Sequence, residues 1–310
     1  MKRKLFPITL MVTALTMAVG CSSVTDQTED HPTNETTSDT KSEVNIIYES
    51  NGDGTCSVVD FDDVEEVVIP EYSPAGDKVT EFLCRSKKNH LKKLFLSDSI
   101  MKISETLSRL RSLENIKLSK NIETIEWQTF HNCSSLKEVV LPEKLKTIAD
   151  EAFRNCESLV EIHIPEGCEE IGASAFEGCH GLKVVDLPNS LKTTSANAFY
   201  DCTSLSSITL PMNMISDFDF GYCTSLTEVN IEDSVQEIGT YTFESTGIRK
   251  IFLPKSITKV YRYAFWNCDP ELTVYCEAEE KPDGWTDEWN RLNYNTLCSV
   301  VWNATRDDAK

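Results

Sequence analysis

The feature that most constrains this chain is a 23-residue phrase that occurs three times in tandem across residues 130–198. Each copy opens with Phe-x-x-Cys-x-x-Leu, continues as a short apolar run that stops at Pro, and closes on Ala before the next Phe. A period of this length is typical of a solenoid, in which each repeat buries its apolar side against its neighbours. The repeat therefore predicts an elongated array of coils.

A shorter apolar phrase, of the form Leu-x-x-Ile-x-Leu, extends the array in both directions. Its last two apolar residues are two positions apart, which suits a strand that buries alternate side chains. Pro ends many copies because it donates no hydrogen bond to a ladder. The nine copies span residues 64–69, 91–96, 113–118, 136–141, 159–164, 182–187, 205–210, 226–231 and 248–253. We predict a right-handed solenoid with a parallel β ladder, short turns or helical turns on the return side, and a cap at each end.

The cysteines follow the repeat. Six of the twelve lie three residues after the repeated Phe: Cys133, Cys156, Cys179, Cys202, Cys223 and Cys268. Zinc sites need Cys residues two to four positions apart, and no Cys-x-x-Cys pair occurs. Leu110 and Thr246 occupy the same slot, which indicates core packing rather than chemistry. Cys276 and Cys298 are the one pair for which we consider a disulfide, against the alternative of two free thiols.

Catalytic motifs are missing from the sequence. There is no nucleophile elbow, no phosphate-binding loop and no pair of His residues at metal-ligand spacing. We therefore predict no enzyme activity, no cofactor and no metal site. The formal charge of −20 repels nucleic-acid phosphates and anionic headgroups, so we predict no nucleic-acid partner.

The first residues indicate export. Residues 1–20 have a basic start, an apolar middle and small residues before Cys21, which is the layout of a signal peptide. Ala18-Val19-Gly20-Cys21 resembles the bacterial lipobox, which implies lipidation of Cys21 and an anchor in the cell envelope. An ordinary signal peptide followed by an unrelated Cys is the alternative. Residues 21–43, rich in Ser, Thr, Asp and Glu, are predicted to form a disordered acidic tether. The lipid anchor would be the only contact with the membrane.

Three further segments follow the tether. Residues 44–63 contain Asn51-Gly52 between two apolar runs, which predicts a hairpin that caps the array. Residues 64–276 hold the repeats and a final strand near 272–276. Residues 277–310 are predicted to form a C-terminal cap, in which four aromatic residues cover the last coil: Trp285, Trp289, Tyr294 and Trp302.

The combined pattern of Phe-x-x-Cys-x-x-Leu-x-x-Ile-x-Leu-Pro, then Leu-x-x-Ile-x-x-x-Ala-Phe, is similar to the BspA-type leucine-rich repeat of bacterial surface proteins. The resemblance covers residues 64–276. It implies a surface-displayed, non-catalytic solenoid that binds proteins, since some relatives adhere to host matrix proteins or to other bacteria. It transfers no functional residue, because the matching positions are all core positions.

Specificity must then come from the residues between the apolar ones. The position between the last two apolar residues of each phrase points outward and predicts a candidate binding face: Phe95, Lys117, Val140, His163, Asp186, Thr209, Asn230 and Phe252. Phe95 and Phe252, each beside a Lys, are predicted to contribute most, because exposed aromatics favour interfaces. We expect a monomeric surface lipoprotein that adheres to host matrix proteins or other cells. The alternative is a periplasmic or envelope scaffold, or a ligand-capturing lipoprotein, without a host partner.

Overall fold

The computed structural model describes residues 44–84, 86–104 and 107–310, together with the backbone of 6–10. Cys21 and the predicted tether, 21–43, lie outside the described residues, as does the predicted signal peptide apart from 6–10. Strand β1 (Phe6–Leu10) pairs antiparallel with β2 (Val44–Ser50). Within the described residues, no helix is long and apolar enough to cross a membrane.

A hairpin opens the described range that starts at residue 44. Strand β2 pairs antiparallel with β3 (Thr55–Phe61), and residues 51–54 form the turn between them. Gly52 and Gly54 have φ of +84° and +85°, and a Cβ added to either would meet nothing within 4 Å. Glycine is therefore favoured here by the left-handed backbone rather than by crowding. Strand β3 then pairs in parallel with β5 (Lys78–Phe82), which pairs with β7 (Lys102–Ile103).

One side of the solenoid is a succession of eleven short parallel strands, which we call the front ladder. Their inward residues are Val, Ile and Leu, and their outward residues are mostly polar, so each strand alternates between buried and exposed positions. The strands are β4 (Glu66–Ile69), β6 (Lys93–Leu96), β8 (Asn115–Lys117), β10 (Glu138–Val140), β12 (Glu161–His163), β14 (Val184–Asp186), β16 (Ser207–Leu210), β18 (Glu228–Ile231), β20 (Lys250–Leu253), β22 (Thr273–Cys276) and β23 (Ser299–Trp302).

The prediction of a parallel-strand solenoid is confirmed. The array has about eleven turns, two more than the nine phrases. One extra turn is the expected strand β22. The other is β23, which lies inside the segment predicted to be only a cap. Leu297, Val300 and Trp302 have the spacing of the phrase, with Trp in place of the last aliphatic residue, and the strand pairs in register with β22.

The return side is formed by a second ladder of two-residue parallel strands. These strands, the return ladder, lie where the sequence has Leu-x-x-Ile and its variants. They are β9 (Thr124–Ile125), β11 (Thr147–Ile148), β13 (Glu170–Ile171), β15 (Thr193–Thr194), β17 (Met214–Ile215), β19 (Glu237–Ile238) and β21 (Lys259–Val260).

Of the two alternatives predicted for the return side, short turns are present and helical turns are not shown, since the described residues contain no α-helix. The Phe-x-x-Cys segments are turns whose N–H groups bond to the next coil rather than within a helix. Phe130 N–H donates to the Ala152 carbonyl at 2.8 Å, and Phe153 N–H donates to the Ala175 carbonyl at 2.8 Å. Left-handed residues such as Glu151 (φ 54°) and Asn155 (φ 58°) interrupt any helical run on both sides of the Phe.

The core between the ladders is organised by a stack of phenylalanine rings. The repeated Phe of each coil is fully buried, and neighbouring rings stack with centroids 5.0–6.0 Å apart. At the C-terminal end, Trp289 meets Phe265 edge to face at 6.2 Å and packs against Trp285 at 4.7 Å. Tyr294 does not cover the core as predicted. It is 81% exposed and contacts Trp266 on the surface at 5.0 Å.

Candidate binding face

The outward residues of the front ladder form a single row. Strand pairing aligns Phe95 with Lys117 and Lys117 with Val140, and it aligns His163 with Asp186. Pairing in the next two sheets places Thr209 opposite Asn230 and Phe252 opposite Tyr275. The four sheets of the front ladder follow one another in contact, although no pairing joins them. The eight predicted positions, with Val68, Tyr275 and Val301 at the ends, are called the front row.

Most of the front row is open to solvent. Val140 is the most exposed apolar residue of the row, at 72%. The polar members are exposed too: Lys117, His163, Asp186, Thr209 and Asn230. Phe95 is half-buried. The expectation that Phe252 is exposed is wrong, because only 8% of it is accessible.

A second outward row lies two residues earlier on each strand. It is acidic at its centre, with Glu138 and Glu161, and basic at its ends, with Lys93 and Lys250. In the front row, His163 Nδ1 lies 2.5 Å from Asp186 Oδ2, between adjacent coils, and both side chains are exposed. The exposed side chains of these two rows differ from coil to coil. Such a surface can recognise an extended partner.

The C-terminal segment, residues 303–310, crosses the front ladder and explains the burial of Phe252. It is attached where Ala304 N–H donates to the Cys276 carbonyl at 2.9 Å, and Ala304 is buried. The Arg306 guanidinium then lies 4.9 Å above the Phe252 ring. It also donates to Asp233 at 2.6 Å and to Asn230 Oδ1 at 3.3 Å. One arginine therefore contacts an aromatic face, a carboxylate and an amide.

A cleft of about 1300 Å³ lies beside this segment. Its walls are outward residues of β14, β16, β18 and β20 on one side and Arg306, Ala309 and Lys310 on the other. Lys250 Nζ donates to the Lys310 backbone oxygen at 2.6 Å and spans the two walls. The cleft therefore combines front-row residues with the C-terminal segment.

Asp233 and Arg306 were not among the sequence-predicted residues. Asp233 follows the strand phrase in a turn, and Arg306 is 73 positions away. Neither belongs to the repeat pattern, and the pattern says nothing about where a tail returns. The only signal in the sequence was the presence of a basic residue, Arg306, in the terminal segment of an acidic protein. That signal does not indicate which residue Arg306 contacts.

The thiols offer no reactive site among the described residues. All eleven described cysteines are free and buried, including Cys276 and Cys298. Burial, and secondarily the neighbouring Cys298, raises the pKa of Cys276 to about 12, so its thiolate is scarce at neutral pH. No group of three or more His, Cys, Asp or Glu side chains in the described ranges could hold a metal ion.

These coils, with a parallel front ladder, a leucine-rich inner face and an open outer row, define a leucine-rich-repeat solenoid. The chain belongs to the BspA type leucine-rich repeat family: the model of the repeat region matches six copies over residues 82–183 and 146–271, more than half of the chain. Proteins with this fold are generally non-enzymatic and serve as protein-interaction scaffolds.

A solved structure agrees with the fold, and a second is similar over most of its length. A leucine-rich repeat protein from Bacteroides ovatus is 27% identical, with a TM-score of 0.72 over 84% of this chain and 70% of that chain. A leucine-rich cell surface protein from Faecalibacterium prausnitzii is 18% identical, with a TM-score of 0.49 over 85% of this chain and 95% of that chain. A comparison with curated protein sequences gave no match.

Proposed function

We propose that this protein is a non-catalytic surface lipoprotein whose front row binds another protein, in adhesion to host matrix proteins or to other cells. The observation that carries the proposal is the row itself. It runs along the front ladder and is exposed over most of its length, and its residues do not repeat although the core residues do.

Placement on the cell surface rests on the N-terminal sequence. A signal peptide over 1–20, a lipidated Cys21 and an acidic tether over 21–43 would hold the solenoid away from the membrane. Mass measurement of the membrane-extracted protein tests this anchor. We expect a mature chain that begins at Cys21 with acyl groups attached, and Cys21→Ser should release the protein in soluble form.

The binding proposal is tested by capture experiments with immobilised protein, using matrix proteins and whole bacteria as probes. Phe95→Ala is expected to weaken capture about tenfold or more, because a half-buried aromatic of an exposed row is a favoured anchor. Tyr72→Ala is the matched control, since Tyr72 is a 55% exposed aromatic outside the front row. Equal capture by both variants would contradict a role for Phe95.

A ligand-capturing lipoprotein inside the envelope is the second candidate, and the cleft beside the C-terminal segment favours it. Digestion of intact cells with an added protease separates the two. If the protein is a surface adhesin, the protease cleaves the exposed tether and releases the solenoid from the cells. A protein that faces the periplasm stays whole until the outer barrier is opened.

A further inference from the structure

The contacts of Arg306 describe a complete site for a guanidinium group. A guanidinium binds best when its flat face lies on an aromatic ring and its edge donates to a planar acceptor. Phe252 provides the ring at 4.9 Å, Asp233 accepts at 2.6 Å, and Asn230 adds a second acceptor at 3.3 Å. Lysine cannot meet all three, because its ammonium is a point charge without a flat face.

The group that fills this site is held weakly. The side chains of Arg306 and Asp233 are 42% and 81% exposed, and exposed ion pairs contribute little to stability. Residues 305–308 are all exposed. Beyond Ala304, the polar contacts described between this segment and the ladder are those of Arg306 and the bond from Lys250 to the Lys310 backbone oxygen. The segment can therefore lift off without disturbing the core.

What the segment covers belongs to the candidate binding face. Phe252 and Asn230 are members of the front row, and removal of Arg306 would expose the Phe252 ring. The cleft continues from there past Glu228 and Thr209 to Asp186. Its lining carries both signs of charge, with Asp186, Glu228 and Asp269 beside Lys183, Arg249 and Lys250, so the contacts of Arg306 rather than the overall charge indicate the partner.

We propose that Phe252, Asp233 and Asn230 form an arginine-binding subsite of the front row. Arg306 fills this subsite in the free protein, and an arginine of an extended partner segment replaces it on binding. Lys250 then donates to the backbone carbonyl oxygen of the partner four residues after that arginine, as it now does to that of Lys310. The inference rests on the proposed function for the identity of the occupant as a protein segment. The guanidinium chemistry itself is independent of it.

The experiment uses the full chain and a peptide with the sequence of residues 303–310, Asn-Ala-Thr-Arg-Asp-Asp-Ala-Lys. In the unchanged protein the tethered segment competes at a high effective concentration, so the added peptide binds poorly. Arg306→Ala empties the subsite. We expect it to bind the peptide at least tenfold more tightly than the unchanged protein, as measured by NMR titration of the Asn230 and Asp233 amides. The same peptide with Lys in place of Arg should bind at least fivefold more weakly.

Two further variants locate the binding. Asp233→Asn, added to Arg306→Ala, should abolish the gain, and it is safe for folding because Asp233 is exposed. Arg262→Ala removes an exposed arginine elsewhere and should leave peptide binding at the level of the unchanged protein. The proposal is overturned if Arg306→Ala binds the peptide no better than the unchanged protein, or if the Arg and Lys peptides bind it equally.

The outcome is distinct from that of the capture experiments. Tight binding of the Arg peptide to Arg306→Ala supports the subsite even if no matrix protein or bacterium is captured. In that case it is the proposed adhesive function that fails. Capture by the front row together with indifference to arginine would overturn the subsite and leave the proposed function standing.

Discussion

The cysteine slot shows how one residue position serves the solenoid. The thiols of Cys133, Cys156 and Cys179 each donate to the backbone carbonyl 26 residues earlier, at 3.2 Å. Thr246, in the same slot, donates from its hydroxyl to the Phe243 carbonyl at 2.9 Å. The slot therefore favours a small buried side chain that can also donate a hydrogen bond. The repeat pattern predicted the burial but not the donor role, because that depends on where the carbonyl of the preceding coil lies.

Thiol chemistry gives the first residue-scale prediction. Burial raises the pKa of Cys133 and of Cys179 to about 12, so both stay protonated near neutral pH. We expect iodoacetamide at about pH 8 to leave all eleven described thiols unlabelled in the folded protein and to label all of them in urea. Peptide mass spectrometry measures both states. Rapid labelling of any of these thiols in the folded protein would contradict the buried slot.

Asp219 is a buried carboxyl where other coils have Ala or Thr, and it gives a prediction for pH dependence. Burial raises its pKa to about 7, although it accepts hydrogen bonds from the Thr194 hydroxyl, Ser216 N–H and Ala198 N–H. An acid whose pKa rises on folding stabilises the fold while protonated, and this stability is lost as pH rises from about 4 to about 7.

The matched comparison is Asp219→Asn, which does not titrate. The unfolding free energy of the unchanged protein, relative to this variant, should fall by up to about 1.4 kcal/mol per pH unit between about pH 5 and 7 and then level off. Urea unfolding at several pH values measures it. A difference that is constant with pH would show that Asp219 has the same pKa in the folded and unfolded chain.

Among the elements, the phenylalanine stack is the main source of cohesion between coils. Phe153 is fully buried, and its ring stacks between Phe130 at 5.0 Å and Phe176 at 5.2 Å. Phe153→Ala should lower the unfolding free energy by about 3–5 kcal/mol, because it removes stacking on both sides and leaves a cavity. Val160→Ala, at a 43% exposed position directly before β12, should change it by less than about 0.5 kcal/mol. Urea denaturation distinguishes the two, and equal effects would contradict the stack's role.

The two ladders differ in how far their form follows from sequence. The strands of the front ladder were predictable, because the last two apolar residues of Leu-x-x-Ile-x-Leu are two positions apart and so mark the buried face of a strand. The return side was not, because two-residue strands are too short to show a period. Its turns depend on left-handed residues as unlike as Gln128, Glu151 and Tyr241. The position before the Cys slot does carry a signal, because it holds residue types that adopt left-handed backbone readily: Asn132, Asn155, Gly178, Asp201 and Asn267. The sequence nevertheless left short turns and helical turns both open.

At the scale of the whole molecule, the repeat predicted the structure of each coil. It did not predict the contacts between residues that are far apart in the sequence. The outward placement of the front row, from Lys117 to Asn230, followed from strand alternation. The cover over Phe252 did not, because it comes from Arg306 in a segment without a repeat. The final strand β23 was likewise missed, although Leu297, Val300 and Trp302 keep the spacing of the phrase, because Trp302 was assigned to the cap.

The most direct test of the front ladder as the interaction surface changes the centre of its row. Val140 is 72% exposed and Val160 is 43% exposed, and only Val140 belongs to the front row. Capture of matrix proteins or bacteria by Val140→Lys should fall about tenfold or more, while Val160→Lys should capture as the unchanged protein does. Both variants should keep the unchanged unfolding free energy within about 0.5 kcal/mol. Undiminished capture by Val140→Lys, or an equal loss in both variants, would contradict the assignment of binding to this face.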